Sequence, residues 1–381
     1  MTEVYTVPQL EPFVDEKELA NLTEVIDNKW LTEGPFSKKF IQQIKTLTHV
    51  KHVNLAPNGT LAIYLSLLAL GIKKGDEVIV PDFTFNASAS PIVFAGAEPI
   101  FVDIHDSDFN IDPEKIEGAI TAKTKAIMPV HIYGQSANMS PIIQIAKENN
   151  LAVIEDAAES LGVSYYNHTG TLDHTGTLGD IGIISFFADK NATMGEGAVI
   201  LTNNDQLDFN IKNLRNQGRL QSGSFKHPLM GMNFRVTDLQ CAVGVAQMDK
   251  FEEIKRLKLE HYNLYKELLD GTGVKFLDEK PYSTRIPFRV VIKVKNKDKV
   301  IKHLEDNKIQ TRGVFYPLHR QPCFAYLEHD YDDFPVSNKA FDEGICLPVY
   351  PGLKDWQIEY ICAKIIDVTD NSKVVKDYRE M

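Results

Sequence analysis

Between residues 50 and 205, short apolar runs alternate with stretches of helical periodicity. The runs predict strands at residues 53–55, 77–81, 99–103, 126–130, 152–156, 181–187 and 198–201. Helical patterns fill several of the gaps, for example at 61–70 and 141–149. Strands that are apolar almost throughout, separated by helices, predict a mostly parallel sheet covered on both faces, an α/β fold.

After about residue 240 the texture changes. A long charged pattern at 245–269 predicts one helix, with Glu252 and Arg256 as an i,i+4 pair on its surface. Residues 285–294 then alternate in the manner of a half-buried strand. The expected organisation is a large α/β domain over 1–249 and a smaller α+β domain over 250–381.

One internal repeat interrupts this layout. His168-Thr-Gly-Thr-Leu-Asp173 is followed directly by His174-Thr-Gly-Thr-Leu-Gly179. A duplicated piece that lengthens a hairpin loop explains it. A histidine metal site would need further ligands, and neither cysteine nor paired acids cluster with these histidines, so no metal is expected.

Composition narrows the partners. The 381 residues carry a formal net charge of -11, which argues against a nucleic-acid backbone as partner. The densest basic stretch, 293–302, is interleaved with Asn and Asp and reads as a solvated face. The most apolar stretch, 62–72, is too short to span a bilayer, so no membrane partner is expected. The N-terminus lacks a signal-peptide pattern. The four cysteines, Cys241, Cys323, Cys346 and Cys362, form no close pair, and a cytoplasmic location is expected.

Three segments carry candidate chemistry. Asn58-Gly-Thr60 joins a strand to an apolar helix, where free amides and the helix dipole favour an anion, although such triplets also serve as plain turns and caps. Asp156 ends an apolar strand and is followed by Glu159. Carboxylates there sit where open α/β sheets bind ligands, or they cap the next helix. A further strand delivers Ser185 and then Lys190 just before Gly195-Glu-Gly197. A lysine at the edge of a buried strand loses its proton readily, as Schiff-base chemistry requires, whereas most lysines are simply solvated. No Gly-x-Gly-x-x-Gly follows the first strand, which removes a dinucleotide-dependent oxidoreductase.

Together these segments resemble the nucleotide-sugar aminotransferases, pyridoxal-phosphate enzymes of fold type I. The resemblance runs from Trp30-Leu-Thr-Glu-Gly-Pro35 to Leu347-Pro-Val-Tyr-Pro351. Between them stand Asn58-Gly-Thr60, Asp76-Glu-Val-Ile-Val-Pro81, Pro129-Val-His-Ile-Tyr-Gly134, Glu155-Asp-Ala-Ala158 and Ser185-Phe-Phe187 with Lys190. It implies pyridoxal phosphate, alternating with its pyridoxamine form, as cofactor and Lys190 as the Schiff-base lysine. It also implies Asp156 on the pyridine nitrogen, Glu159 near the ring hydroxyl, and Phe85 stacked on the ring. Gly59, Thr60 and Ser185 would hold the phosphate. Asn233 would reach the phosphate of a second subunit, which makes a homodimer with shared sites the expected assembly. Thr32, Tyr316 and His319 would contact the substrate, although His319 reads equally well as a structural histidine.

The implied reaction moves an amino group from L-glutamate to a keto sugar carried on a nucleotide. Segments around Asn216-Gln-Gly-Arg219 and Phe315-Tyr-Pro-Leu-His319 look most like enzymes that aminate C4 of a 4-keto-6-deoxyhexose. Amination at C3 stays open, as does the nucleotide base. Relatives with histidine at the Schiff-base position act as dehydratases, and Lys190 argues for transamination.

Overall fold

The computed structural model describes residues 6–167, 170–221 and 223–369. Its strands are β1 (His52–Ala56), β2 (Glu77–Pro81), β3 (Glu98–Val102), β4 (Thr124–Ile127), β5 (Ala152–Asp156), β6 (Ser164–Tyr166) and β7 (Leu172–His174). They continue as β8 (Ile181–Ser185), β9 (Ala198–Thr202), β10 (Lys275–Phe276), β11 (Val290–Lys293), β12 (Arg312–Gly313) and β13 (Gly344–Leu347). The α-helices are α1 (Glu16–Asp27), α2 (Pro35–Thr48), α3 (Gly59–Ala69), α4 (Ser90–Phe94), α5 (Pro113–Ala119) and α6 (Met139–Glu148). After them come α7 (Asp205–Arg215), α8 (Asp238–Asp249), α9 (Phe251–Leu269), α10 (Lys297–Asp306), α11 (Pro335–Glu343) and α12 (Asp355–Thr369).

Seven strands form the central sheet in the order β1-β9-β8-β5-β4-β2-β3. Its pairings from β8 through β3 are parallel, and β9 runs against both of its neighbours. This is the mostly parallel sheet that the apolar runs predict. Alternation along the strands feeds two faces: Ile181, Ile183, Ala198 and Ile200 pack with α3, while Ile184, Val199 and Leu201 pack with α2 and α8. Burial on both faces is why these strands carry so few polar residues.

The C-terminal part builds a four-stranded sheet, β10-β11-β13-β12, with its own core. Val7 belongs to that core, so the N-terminal segment packs onto the far end of the chain.

Three local expectations need correction. The pattern at 245–269 is two helices rather than one, because α8 ends and α9 begins at Lys250. The Lys250 ammonium is buried and held at 2.9 Å by Asp15 and 2.8 Å by Glu18, contacts that a straight surface helix would not offer. On α9, Arg256 pairs with Glu260, whereas Glu252 meets Lys255. Residues 285–294 contain only the four-residue strand β11, and all four positions are buried rather than alternating, because this sheet too is covered on both sides.

Leu172 and Asp173 of the first copy and His174 of the second lie in β7, which pairs with β6 as a hairpin. His168 of the first copy lies outside the described residues. His174 of the second is buried, accepting from the Gly162 amide at 2.7 Å through Nε2 while Nδ1 faces the Thr175 carbonyl. Its role is structural.

Candidate active site

The carboxyl ends of the central strands open onto a cavity of about 330 Å³, closed on its other side by residues of the second sheet. Parallel strands deliver their C-terminal residues to one edge, which is the physical reason this edge gathers functional groups. Gly59, Thr60, Phe85, Asp156, Glu159, Ser185 and Lys190 all line the cavity.

At one end stands the start of α3. Asn58 caps it, its side chain accepting from the Leu61 amide at 2.9 Å. The amides of Gly59 and Thr60 lie in the first turn, where no helix carbonyl can reach them. A Cβ added at Gly59 would lie 3.3 Å from Ser185 Cβ, so glycine keeps this cradle open beside the serine hydroxyl. Backbone amides, two hydroxyls and a helix dipole form a donor set suited to a phosphate.

Asp156 projects from the end of β5. It is buried, and its oxygens accept from Ser88 Oγ at 2.7 Å and the Ala158 amide at 3.1 Å. Phe85 is 59% exposed, free to cover a flat ligand. Glu159 accepts from the Tyr133 amide at 2.9 Å, and Lys190 Nζ stands 3.7 Å from its other oxygen. Burial pushes the Glu159 carboxyl above its ordinary range, an effect that Lys190 partly offsets. Lys190 Nζ also lies 4.3 Å from the Phe288 ring centre. Phosphate donors, a buried carboxylate, an aromatic cover and an amine converge here, and this set fits pyridoxal phosphate.

Other expected residues lie elsewhere. Asn233 belongs to a separate surface hollow lined by Gln217 and residues 227–233. Thr32 bridges to Thr237 away from the cavity. Tyr316 packs edge-on against Phe341 and under Arg320. His319 is buried, with Nδ1 2.8 Å from Asp82 and its amide on the same carboxylate at 2.7 Å. The duplicated segment contributes nothing to the cavity wall among the described residues.

Several lining residues escaped sequence reasoning. Tyr133 adopts a left-handed backbone (φ 53°), stacks on Phe315 at 5.3 Å, and has its hydroxyl pushed well up by burial. The neighbouring Gly134 was its one signal. Ser88, Asp189, Arg289 and Arg312 are not singled out by the sequence, since a serine, aspartate or arginine without a visible partner looks like any surface residue.

Comparison with known proteins agrees with this geometry. Residues 12–366 match the DegT/DnrJ/EryC1/StrS aminotransferase family. The GDP-perosamine synthase of Caulobacter vibrioides is 35% identical over 97% of this chain and 100% of its own length. That of Escherichia coli O157:H7 is 35% identical over 94% of this chain and 97% of its own. Among solved structures, DesV of S. venezuelae, in complex with a ketimine intermediate, superposes with a TM-score of 0.89 at 26% identity, covering 96% of this chain and 100% of that one.

Proposed function

Because the chain belongs to the DegT/DnrJ/EryC1/StrS aminotransferase family and is thereby a sugar aminotransferase with pyridoxal phosphate as cofactor, we propose that it transfers the amino group of L-glutamate to C4 of a nucleotide-linked 4-keto-6-deoxyhexose. The products are 2-oxoglutarate and a 4-amino-4,6-dideoxy sugar nucleotide of the perosamine type, a precursor for surface polysaccharide. The observation that carries the reading is Lys190 Nζ facing Glu159 in the cavity that also holds Asp156 and the start of α3. The full-length similarity to GDP-perosamine synthases favours C4.

Bound in the cavity, the cofactor supplies an electron sink for the carbon that exchanges its hydrogen. The protein's residues do the rest. Lys190 is the anchoring amine and the proton carrier, and its place against Glu159 and the Phe288 ring keeps Nζ out of bulk water. Asp156, fixed by Ser88, presents a buried carboxylate to the ring nitrogen. Gly59, Thr60 and Ser185 take the phosphate, and Phe85 covers the ring.

The assembly we propose is a homodimer in which Asn233 of each chain completes the other's site. Its surface hollow is flanked by exposed Met230 and Leu229, as a contact face requires. No helix among the described residues is long and apolar enough to cross a membrane, and we place the enzyme in the cytoplasm. We also propose a division near Lys250 into a cofactor-binding domain and a smaller C-terminal one.

The visible absorption spectrum of the purified protein, recorded before and after L-glutamate, tests the reaction. A yellow band that bleaches toward the near ultraviolet is expected. A band that glutamate leaves unmoved would point to another donor or to a non-transaminating reaction.

A further inference from the structure

Among the cations that line the cavity, Arg289 is the most deeply buried, its side chain 3% exposed against 15% for Lys190 and 58% for Arg312. Its Nη2 donates to Asp189 Oδ2 at 2.5 Å, and Arg312 Nη1 donates to the same oxygen at 3.0 Å. The other terminal nitrogen of Arg289, Nη1, is buried and has no partner among the described residues. A buried guanidinium N–H without an acceptor is costly, so such an orphan marks the place of an acceptor that arrives with a ligand.

The fold explains why two guanidiniums meet one carboxylate here. Arg289 immediately precedes β11, and Arg312 opens β12; both strands flank β13, whose Cys346 also lines the cavity. The second sheet therefore aims a pair of positive charges at Asp189, the residue next to Lys190. Of the other acids that line the cavity, Glu159 is engaged with Tyr133 and Lys190 and Asp156 with Ser88 and Ala158, while Glu196 is exposed. Two arginines against one aspartate leave a surplus positive charge, and the free N–H edge belongs to the buried arginine.

We propose that Arg289, braced by Asp189 and Arg312, receives the side-chain carboxylate of the amino donor and so selects an acidic amino acid. A planar carboxylate matches the N–H edge of a guanidinium. The inference rests on the reading of this chain as a glutamate-dependent aminotransferase and adds the residue that chooses the donor. Arg289 has no part in holding the phosphate, which belongs to the α3 end of the cavity.

The test uses the holoenzyme and its Arg289→Gln, Arg289→Lys and Arg312→Gln variants. Glutarate, a dicarboxylate with no amine, is titrated calorimetrically, and the glutamate dependence of the visible absorbance change is measured in parallel. Arg289→Gln should weaken glutarate and raise the half-saturating glutamate concentration, each roughly 10- to 100-fold, as loss of a charged hydrogen bond implies. Arg289→Lys should fall between this variant and wild type, and Arg312→Gln should show a smaller loss. The starting visible band should stay close to wild type. Glutarate affinity within twofold of wild type in Arg289→Gln overturns the proposal, and so does a wild type that binds no glutarate. Loss of the visible band in both Arg289 variants would mean a structural role and also overturns it. If wild type ignores glutamate yet binds glutarate through Arg289, the donor is misassigned and the carboxylate site stands.

Discussion

Acidification should destabilise the protein through His174. Its Nε2 accepts the Gly162 amide at 2.7 Å and its Nδ1 faces the Thr175 carbonyl at 2.5 Å, so the neutral ring carries its single proton on Nδ1. A second proton would set Nε2–H against another N–H inside a buried pocket. Burial accordingly holds the imidazole down at about 4, from an ordinary 6.5. The unfolded chain binds a proton as the pH falls through about 6.5, while the folded chain resists until about 4. This contribution to stability is therefore complete above 6.5 and lost progressively on the way down to 4. At about 1.4 kcal/mol per pH unit the interval amounts to about 3 kcal/mol, of which about 2 is gone by pH 5. Urea unfolding of wild type and His174→Gln at pH 7.5, 6 and 5, followed by circular dichroism, isolates the effect. Glutamine can still accept the Gly162 amide but does not titrate, and other buried acids, such as Glu159, are common to both proteins. The wild type should lose about 2 kcal/mol more than the variant between pH 7.5 and 5. Parallel losses in the two proteins would refute the account.

Lys190→Ala should abolish turnover with circular dichroism and thermal midpoint near wild type, since the ammonium makes one 3.7 Å ion pair and the side chain lines a cavity rather than the packed core; normal turnover would displace Lys190 from its role. Gly59→Ala places a methyl 3.3 Å from Ser185 Cβ and 3.5 Å from its hydroxyl. It should weaken pyridoxal phosphate binding by roughly tenfold, about 1.4 kcal/mol, in a titration of the cofactor-free protein, with stability unchanged. Asp238 is buried and accepts from the amides of Gly34, Phe36 and Ser37 and from the Ser37 hydroxyl. Asp238→Ala strands those donors at the start of α2 and should cost roughly 3–5 kcal/mol, read as a lowered thermal midpoint; a loss below about 1 kcal/mol would mean that water replaces the carboxylate.

What was legible in the sequence followed from burial and strand geometry. A strand covered on both faces must be apolar almost throughout, so β2, β5, β8 and β9 announce themselves, and the polar residue at the end of such a run is conspicuous. Asp156 and Ser185 stand out in that way, whereas Lys190, beyond the end of β8, is marked by the resemblance of its flanking segment rather than by strand pattern. Lys250 was illegible because a lysine in a helical pattern resembles a surface residue; its burial depends on Asp15 and Glu18 from α1 and its cap, more than 230 positions away. Arg289 was hidden for the same reason. Its significance lies in Asp189, 100 positions earlier, and only the packing of the second sheet on the first brings the two together.

The repeated hexapeptide shows how two copies that differ only at their sixth residue acquire different roles. Glu155 is buried and accepts from the amides of Gly176, Leu178 and Gly179, while His131 Nε2 stands 2.9 Å from it. A carboxylate so occupied has room for one copy of the repeat. Position six decides which: a Cβ at Gly179 would lie 2.7 Å from the Val153 carbonyl oxygen, so Asp173, at the same place in the first copy, could not sit there. The first copy is displaced to the hairpin, where Leu172 is 52% exposed, whereas Leu178 packs against the core. Glu155 and Asp156 are consecutive in β5 and so point to opposite faces. One carboxylate thereby organises the second copy while its neighbour is left for the cavity, which no described residue of the duplicated segment lines.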